Sequence, residues 1–165
     1  MFRKLVLTGL VMLMAALIVP GPVVAGDTAS KPPVDLSAEV MALLRAEMAQ
    51  LSAGIQSIAL FIAAADWQAI AETGEKMHAS YLMKKSLTQS QAMELKQKLP
   101  AEFKQLDAVF HARAKKLASA AVTEDSELVV FHYARLVETC VACHSAFASS
   151  RFPGFVKTPQ AQHKH

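Results

Sequence analysis

Near the C-terminus the chain reads Cys140-Val141-Ala142-Cys143-His144. Two thiols two residues apart, followed at once by an imidazole, suit only a few chemistries. A thioredoxin-like redox pair needs a strand-to-helix context, and no strand pattern is present. A structural zinc site needs four ligands at tetrahedral spacing, and three stand here with no second cysteine pair. A disulfide across a C-x-x-C inside a helix is sterically poor and leaves His144 without a role. Covalent attachment of a haem uses every residue. The two thiols add across the vinyl groups on one porphyrin edge, and the two intervening residues supply the reach. On a helix His144 lies four residues from Cys140 and one from Cys143, so its imidazole can stand over the porphyrin plane and coordinate iron. Its other ring nitrogen then calls for a partner, usually a backbone carbonyl. The motif predicts one covalent haem c, held by Cys140 and Cys143, with His144 as an axial iron ligand.

Such a site needs a compartment and a frame. Arg3 and Lys4 precede an uncharged apolar run, Leu5 to Val19; Pro20, Gly21 and Pro22 follow, and Val23-Val24-Ala25 puts small residues at a cleavage site. That order of parts is a secretory signal peptide over residues 1–25. The alternative, an uncleaved membrane anchor, has an apolar run short of the roughly 20 residues that span a bilayer. With the signal removed no membrane span is expected. Cleavage would remove Arg3 and Lys4, taking the basic count from 17 to 15 against 14 acids. A near-neutral surface argues against nucleic acid, which calls for lysine and arginine clustered on one face.

Residues 26–37, with Pro32 and Pro33, read as an irregular leader. From there to Ser150 the composition is that of helices, broken only at Gly54, Gly74 and Pro100. The first helix opens at Ser37 and carries Met41, Leu44, Met48, Leu51, Ile55, Ile58 and Ile62, the alternating three-and-four rhythm of a bundle seam. Asp66 caps a second helix bearing Trp67, Ile70, Gly74, Met77 and Tyr81. Thr88 and Gln91 form a capping box for a short helix that ends near Leu99. After Pro100 a third long helix shows Phe103, Leu106, Phe110, Arg113, Leu117 and Ala120. Thr123 or Asp125 caps the last, which runs through the motif to about Ser150, where Phe152-Pro153-Gly154 ends it. Four amphipathic helices with short connections predict an all-α fold, an antiparallel four-helix bundle over residues 38–155. A disordered tail is expected over 156–165.

The arrangement resembles the cytochrome c-prime superfamily, and more narrowly its low-spin members. The resemblance rests on the signal peptide, the four helices and the single C-x-x-C-H on the last of them. It also rests on Asp66-Trp67, Leu99-Pro100-Ala101-Glu102-Phe103 and Thr139 before Cys140. It implies a periplasmic four-helix bundle, often a homodimer, with haem packed between helices. It also implies a residue on the first helix facing the far side of the iron. Met48 is the candidate distal ligand, three residues after Arg45. The family more often places that residue four after such an arginine, which here is Ala49, but Ala49 falls off the stripe and Met48 falls on it. Arg45 resembles the arginine near the haem propionates. Met48 also suits plain core filling. His78 is an alternative ligand; His111 falls off its stripe, and His132 lies about 18 Å from His144 along one helix, too far to share its iron.

Two functions remain open. With Met48 ligated, the protein is an electron carrier between redox partner proteins and not an enzyme. With an open distal face, it binds nitric oxide or carbon monoxide.

Overall fold

Ser37, Asp66, Thr88 and Asp125 each stand immediately before a helix, and each side-chain oxygen accepts an N–H from the first turn, from Val40, Ala69, Gln91 and Leu128 respectively. The Gln91 side chain returns the bond to the Thr88 N–H at 2.9 Å, closing the capping box. These caps start α1 (Ala38–Ala64), α2 (Trp67–Ala79), α3 (Gln89–Lys98) and α5 (Ser126–Phe147); α4 (Ala101–Val122) follows Pro100. Thr123 closes α4, its hydroxyl donating to the Ala120 carbonyl. α5 stops at Phe147, short of Ser150, and two 3₁₀ turns follow, Ser149–Arg151 and Pro153–Phe155. The computed structural model describes residues 34–155 apart from 82 and 84, and the backbone alone of Pro153. The signal peptide, most of the leader and the tail expected from the sequence lie outside the described residues. Among the described residues there is no strand.

α1, α2, α4 and α5 form the bundle, each packed on the next and α5 back on α1. The pairings run antiparallel. Met77 of α2 meets His111 of α4, while Gly74 meets Ala118. Along α4 and α5, Arg113 meets Thr139 and Phe103 meets Phe147. The shared core includes Ile58, Ile70, Met77, Leu117, Val129 and Leu136, all shut off from solvent.

α2 and α4 approach closely because Gly74 lacks a side chain. A methyl group there would sit 3.0 Å from the Ala114 carbonyl oxygen, 3.0 Å from Ala118 Cβ and 3.1 Å from the Ala118 nitrogen. Backbone atoms cannot step aside as side-chain tips can. Gly74→Val is therefore expected to lower stability by about 1–3 kcal/mol, through overpacking. Gly54 offers the contrast, since a methyl there first meets the tip of Met77, 2.5 Å away. Denaturant titration of Gly74→Val and Gly54→Ala side by side checks the distinction, with the Gly54 variant the milder of the two.

The seam expected on α1 holds in its second half, where Ile58 is fully buried and Leu51, Ile55 and Ile62 pack against the core. Toward the N-terminus the inward positions are Val40, Glu47 and Gly54 rather than Met41 and Met48. The buried line is Val40, Glu47, Gly54 and Ile58, whereas Met48 is 37% exposed. The reason is tertiary. Gly54 receives Met77 and Tyr81 against its backbone, and the Glu47 carboxylate finds polar partners inside. Neither residue counts as apolar, so the hydrophobic rhythm marked their neighbours in the next column.

Candidate functional site

The last two turns of α5 carry Cys140, Cys143 and His144 within about 100° of its circumference, since 3.6 residues complete a turn. All three are half-buried. Cys140 packs against the buried core, and both thiols are free. Burial raises the pKa of each. Cys143 is pushed to about 11, first by burial and then by the charges of Asp107 and Cys140. The sulfurs are therefore held as neutral thiols. Burial, with Arg151 adding to it, lowers the pKa of His144, so its imidazole is neutral and keeps a lone pair for a metal. Phe152 stacks on that ring at 4.5 Å and 16°. Among the described residues no carbonyl takes the second nitrogen of His144; the contact that steadies the ring is aromatic.

Two protonated thiols and a neutral imidazole on one helical face, bordered by the core and by Phe103, Phe147 and Phe152, fit a flat apolar cofactor bound at one edge. Cys140 and Cys143 would hold haem by thioether bonds and His144 would ligate its iron.

The turn before the motif is stapled to α4. Arg113 donates to Thr139 Oγ1 at 2.8 Å and to the Arg135 carbonyl, and Thr139 is almost fully buried. Arg113 was legible only as a polar residue on an apolar stripe. Its partner on α5 becomes visible once the two helices are paired.

Met48 lies on α1 beside the buried line and is exposed. Tyr133 of α5 donates to the Ile55 carbonyl of α1 at 3.2 Å. Met48 is seven residues from Ile55 and Cys140 seven from Tyr133, in helices of opposite direction, so both steps run about 10 Å the same way. Met48 thus stands at the height of Cys140. Arg45 is exposed on the outer side of α1.

The histidines considered as rivals have other roles. His78 Nδ1 contacts the His111 carbonyl at 3.1 Å, and His111 Nδ1 contacts the Met77 carbonyl at 2.8 Å. A carbonyl only accepts, so each Nδ1 carries the proton, and the two rings lock α2 to α4. His111 Nε2 faces Asp107 at 3.5 Å. His132 lies three turns before His144 on α5, and burial lowers its pKa, with Lys116 adding to the effect.

A protein-family model described as Cytochrome C' matches residues 33–148, which takes in α1 through α5 and the whole motif. The comparisons with curated proteins and with solved structures gave no match.

Proposed function

The chain belongs to the cytochrome c' family, and from that footing we propose that it is an exported monohaem electron carrier with His144 and Met48 on the two faces of its iron. The family implies a covalently bound c-type haem, which supplies a one-electron ferrous–ferric couple. One observation supports the finer reading: counted from the Tyr133–Ile55 contact between α5 and α1, Met48 stands at the height of the two cysteines. A thioether on one face and a neutral imidazole on the other keep the coordination number constant through the redox change, and thioether ligation raises the potential. The role proposed is electron transfer, in the periplasm. A partly exposed apolar strip of α5 that includes Val130, Val137 and Val141 suits docking of a redox partner protein beside the motif.

The ferrous absorption spectrum of the haem-loaded protein tests the assignment. Sharp low-spin α and β bands are expected, and Met48→Ala is expected to abolish them and open the iron to carbon monoxide. A high-spin wild-type spectrum would sink the reading. A second reading draws on the exposure of Met48, whose side chain is 37% open to solvent. If that thioether stays off the iron, the open distal face suits a small neutral gas. Rapid carbon monoxide binding by the wild type, at a rate that Met48→Ala leaves unchanged, distinguishes this case.

A further inference from the structure

The residue before Met48 is a carboxylate in the core. Glu47 is 3% exposed, and its oxygens accept from Ser80 Oγ at 2.8 Å, from the Tyr81 N–H at 2.9 Å and from the Met83 N–H at 3.3 Å. All three donors lie where the chain leaves α2. Ser80 is itself 1% exposed and adopts φ 63° and ψ 140°, a left-handed backbone that a residue with a Cβ rarely takes. That conformation swings the chain sharply out of α2 and brings the Tyr81 and Met83 N–H groups onto one carboxylate.

A clamp of this kind has a particular use on α1. Its 27 residues include only three charged side chains, Glu39, Arg45 and Glu47, and the rest is largely alanine, leucine, isoleucine and methionine. A helix apolar on most of its circumference has no strong hydrophobic reason to prefer one rotation about its axis. The columns Val40–Glu47–Gly54 and Met41–Met48–Ile55 adjoin; in the second half of α1 Gly54 and Ile58 set the inward face by packing, and in the first half Glu47 carries the buried polar contact. A buried carboxylate held by donors fixed at the end of α2 resists rotation, because turning it away leaves a charge and its donors unpaired.

We infer that Glu47 is the positioning residue for the distal face of the iron: by gripping the exit of α2 it fixes the rotation of the first half of α1 and thereby aims Met48 toward the haem side. The inference rests on the reading of Met48 as the distal residue and names what holds it there. Glu47 does not touch the iron site. It acts through the next residue, about 100° around the helix.

The experiment is carbon-13 NMR of the haem-loaded ferrous protein with its methionine methyl groups labelled, the Met48 signal being assigned by its loss in Met48→Ala. In the wild type the Met48 methyl is expected far outside the ordinary methionine envelope, displaced by the haem. In Glu47→Ala it should return to that envelope, with carbon monoxide binding accelerated toward the Met48→Ala rate and the far-ultraviolet circular dichroism unchanged. Glu47→Gln, which keeps the length and one acceptor oxygen, should restore part of the displacement. A Glu47→Ala protein that melts earlier but keeps the wild-type Met48 shift would make Glu47 a structural clamp only and overturn the inference. Should Glu47→Ala fail to fold, Ser80→Ala removes one donor and keeps the charge. It is expected to double or broaden the Met48 signal, and one sharp wild-type signal would overturn the inference equally. The two readings fail separately. A high-spin wild type whose Met48 methyl is still haem-shifted sinks ligation and leaves the positioning role standing, whereas an unshifted Met48 methyl in the wild type overturns the positioning role whatever the spin state.

Discussion

Replacing both Cys140 and Cys143 with alanine is expected to leave a chain that carries no haem after denaturation in detergent, whereas the wild type keeps its haem through the same treatment. The expectation follows from the thiols. Each sits half-buried on one face of α5, protonated and free, with no partner sulfur bonded to it. Two thioether bonds survive the loss of every non-covalent contact, and axial ligation by His144 does not. Haem staining of a denaturing gel separates the cases, with mass spectrometry showing the added mass on the wild type alone. The single variants should each keep one thioether, and with it haem on the gel at reduced yield. Loss of haem from the wild type under denaturation would overturn covalent attachment.

Leu136→Ala is expected to cost about 2–5 kcal/mol, the usual range for emptying a closed leucine site. Leu136 has no exposed surface, and it stands one turn before Cys140, whose sulfur lies 3.8 Å from the Leu136 carbonyl. Total stabilities of about 5–15 kcal/mol make this a large share. Because a thioether-bound haem stays on the unfolded chain, the loss is read directly as a lower denaturant midpoint, with no release of ligand mixed into it. Val130→Ala on the same helix removes a side chain that is 49% exposed and should change stability by no more than about 0.5 kcal/mol. Equal effects of the two substitutions would contradict the packing described.

The two parts of the molecule differ in how far they could be read from the chain alone. Caps are local: Ser37, Asp66, Asp125 and the Thr88–Gln91 box each act within three residues, so their sequence signals match their hydrogen bonds. The all-α bundle followed from the same kind of signal, since helical periodicity is local too. The C-x-x-C-H motif was legible because its chemistry is confined to five residues. The exact inner line of α1 was not. Glu47 is buried only because Ser80, Tyr81 and Met83, more than thirty residues later, supply donors. Gly54 is buried only because Met77 and Tyr81 fold onto it. The left-handed Ser80 and the His78–His111 lock depend likewise on which helices become neighbours. A scan for apolar residues passes over a glycine and a glutamate, though their heptad spacing from Val40 was in view.

The crossed histidine bonds between α2 and α4 bear on how the molecule opens. With Gly74 letting the two backbones close up, and α4 in turn stapled to α5 through Arg113 and Thr139, three helices form a cooperative block. α1 meets α5 over a shorter stretch, is held to the end of α2 by Glu47 and by the packing at Gly54, and is tied to α3 through side chains at its start. In native-state hydrogen exchange the amides of α2 and α4 should then be the last to trade protons, at the free energy of global unfolding, and those in the first half of α1 among the earliest of the helical amides. His144 belongs to the slow block and Met48 to the fast helix. If the two residues ligate one iron as proposed, its two sides are governed by different opening equilibria, and the far side is uncovered more often than the near side.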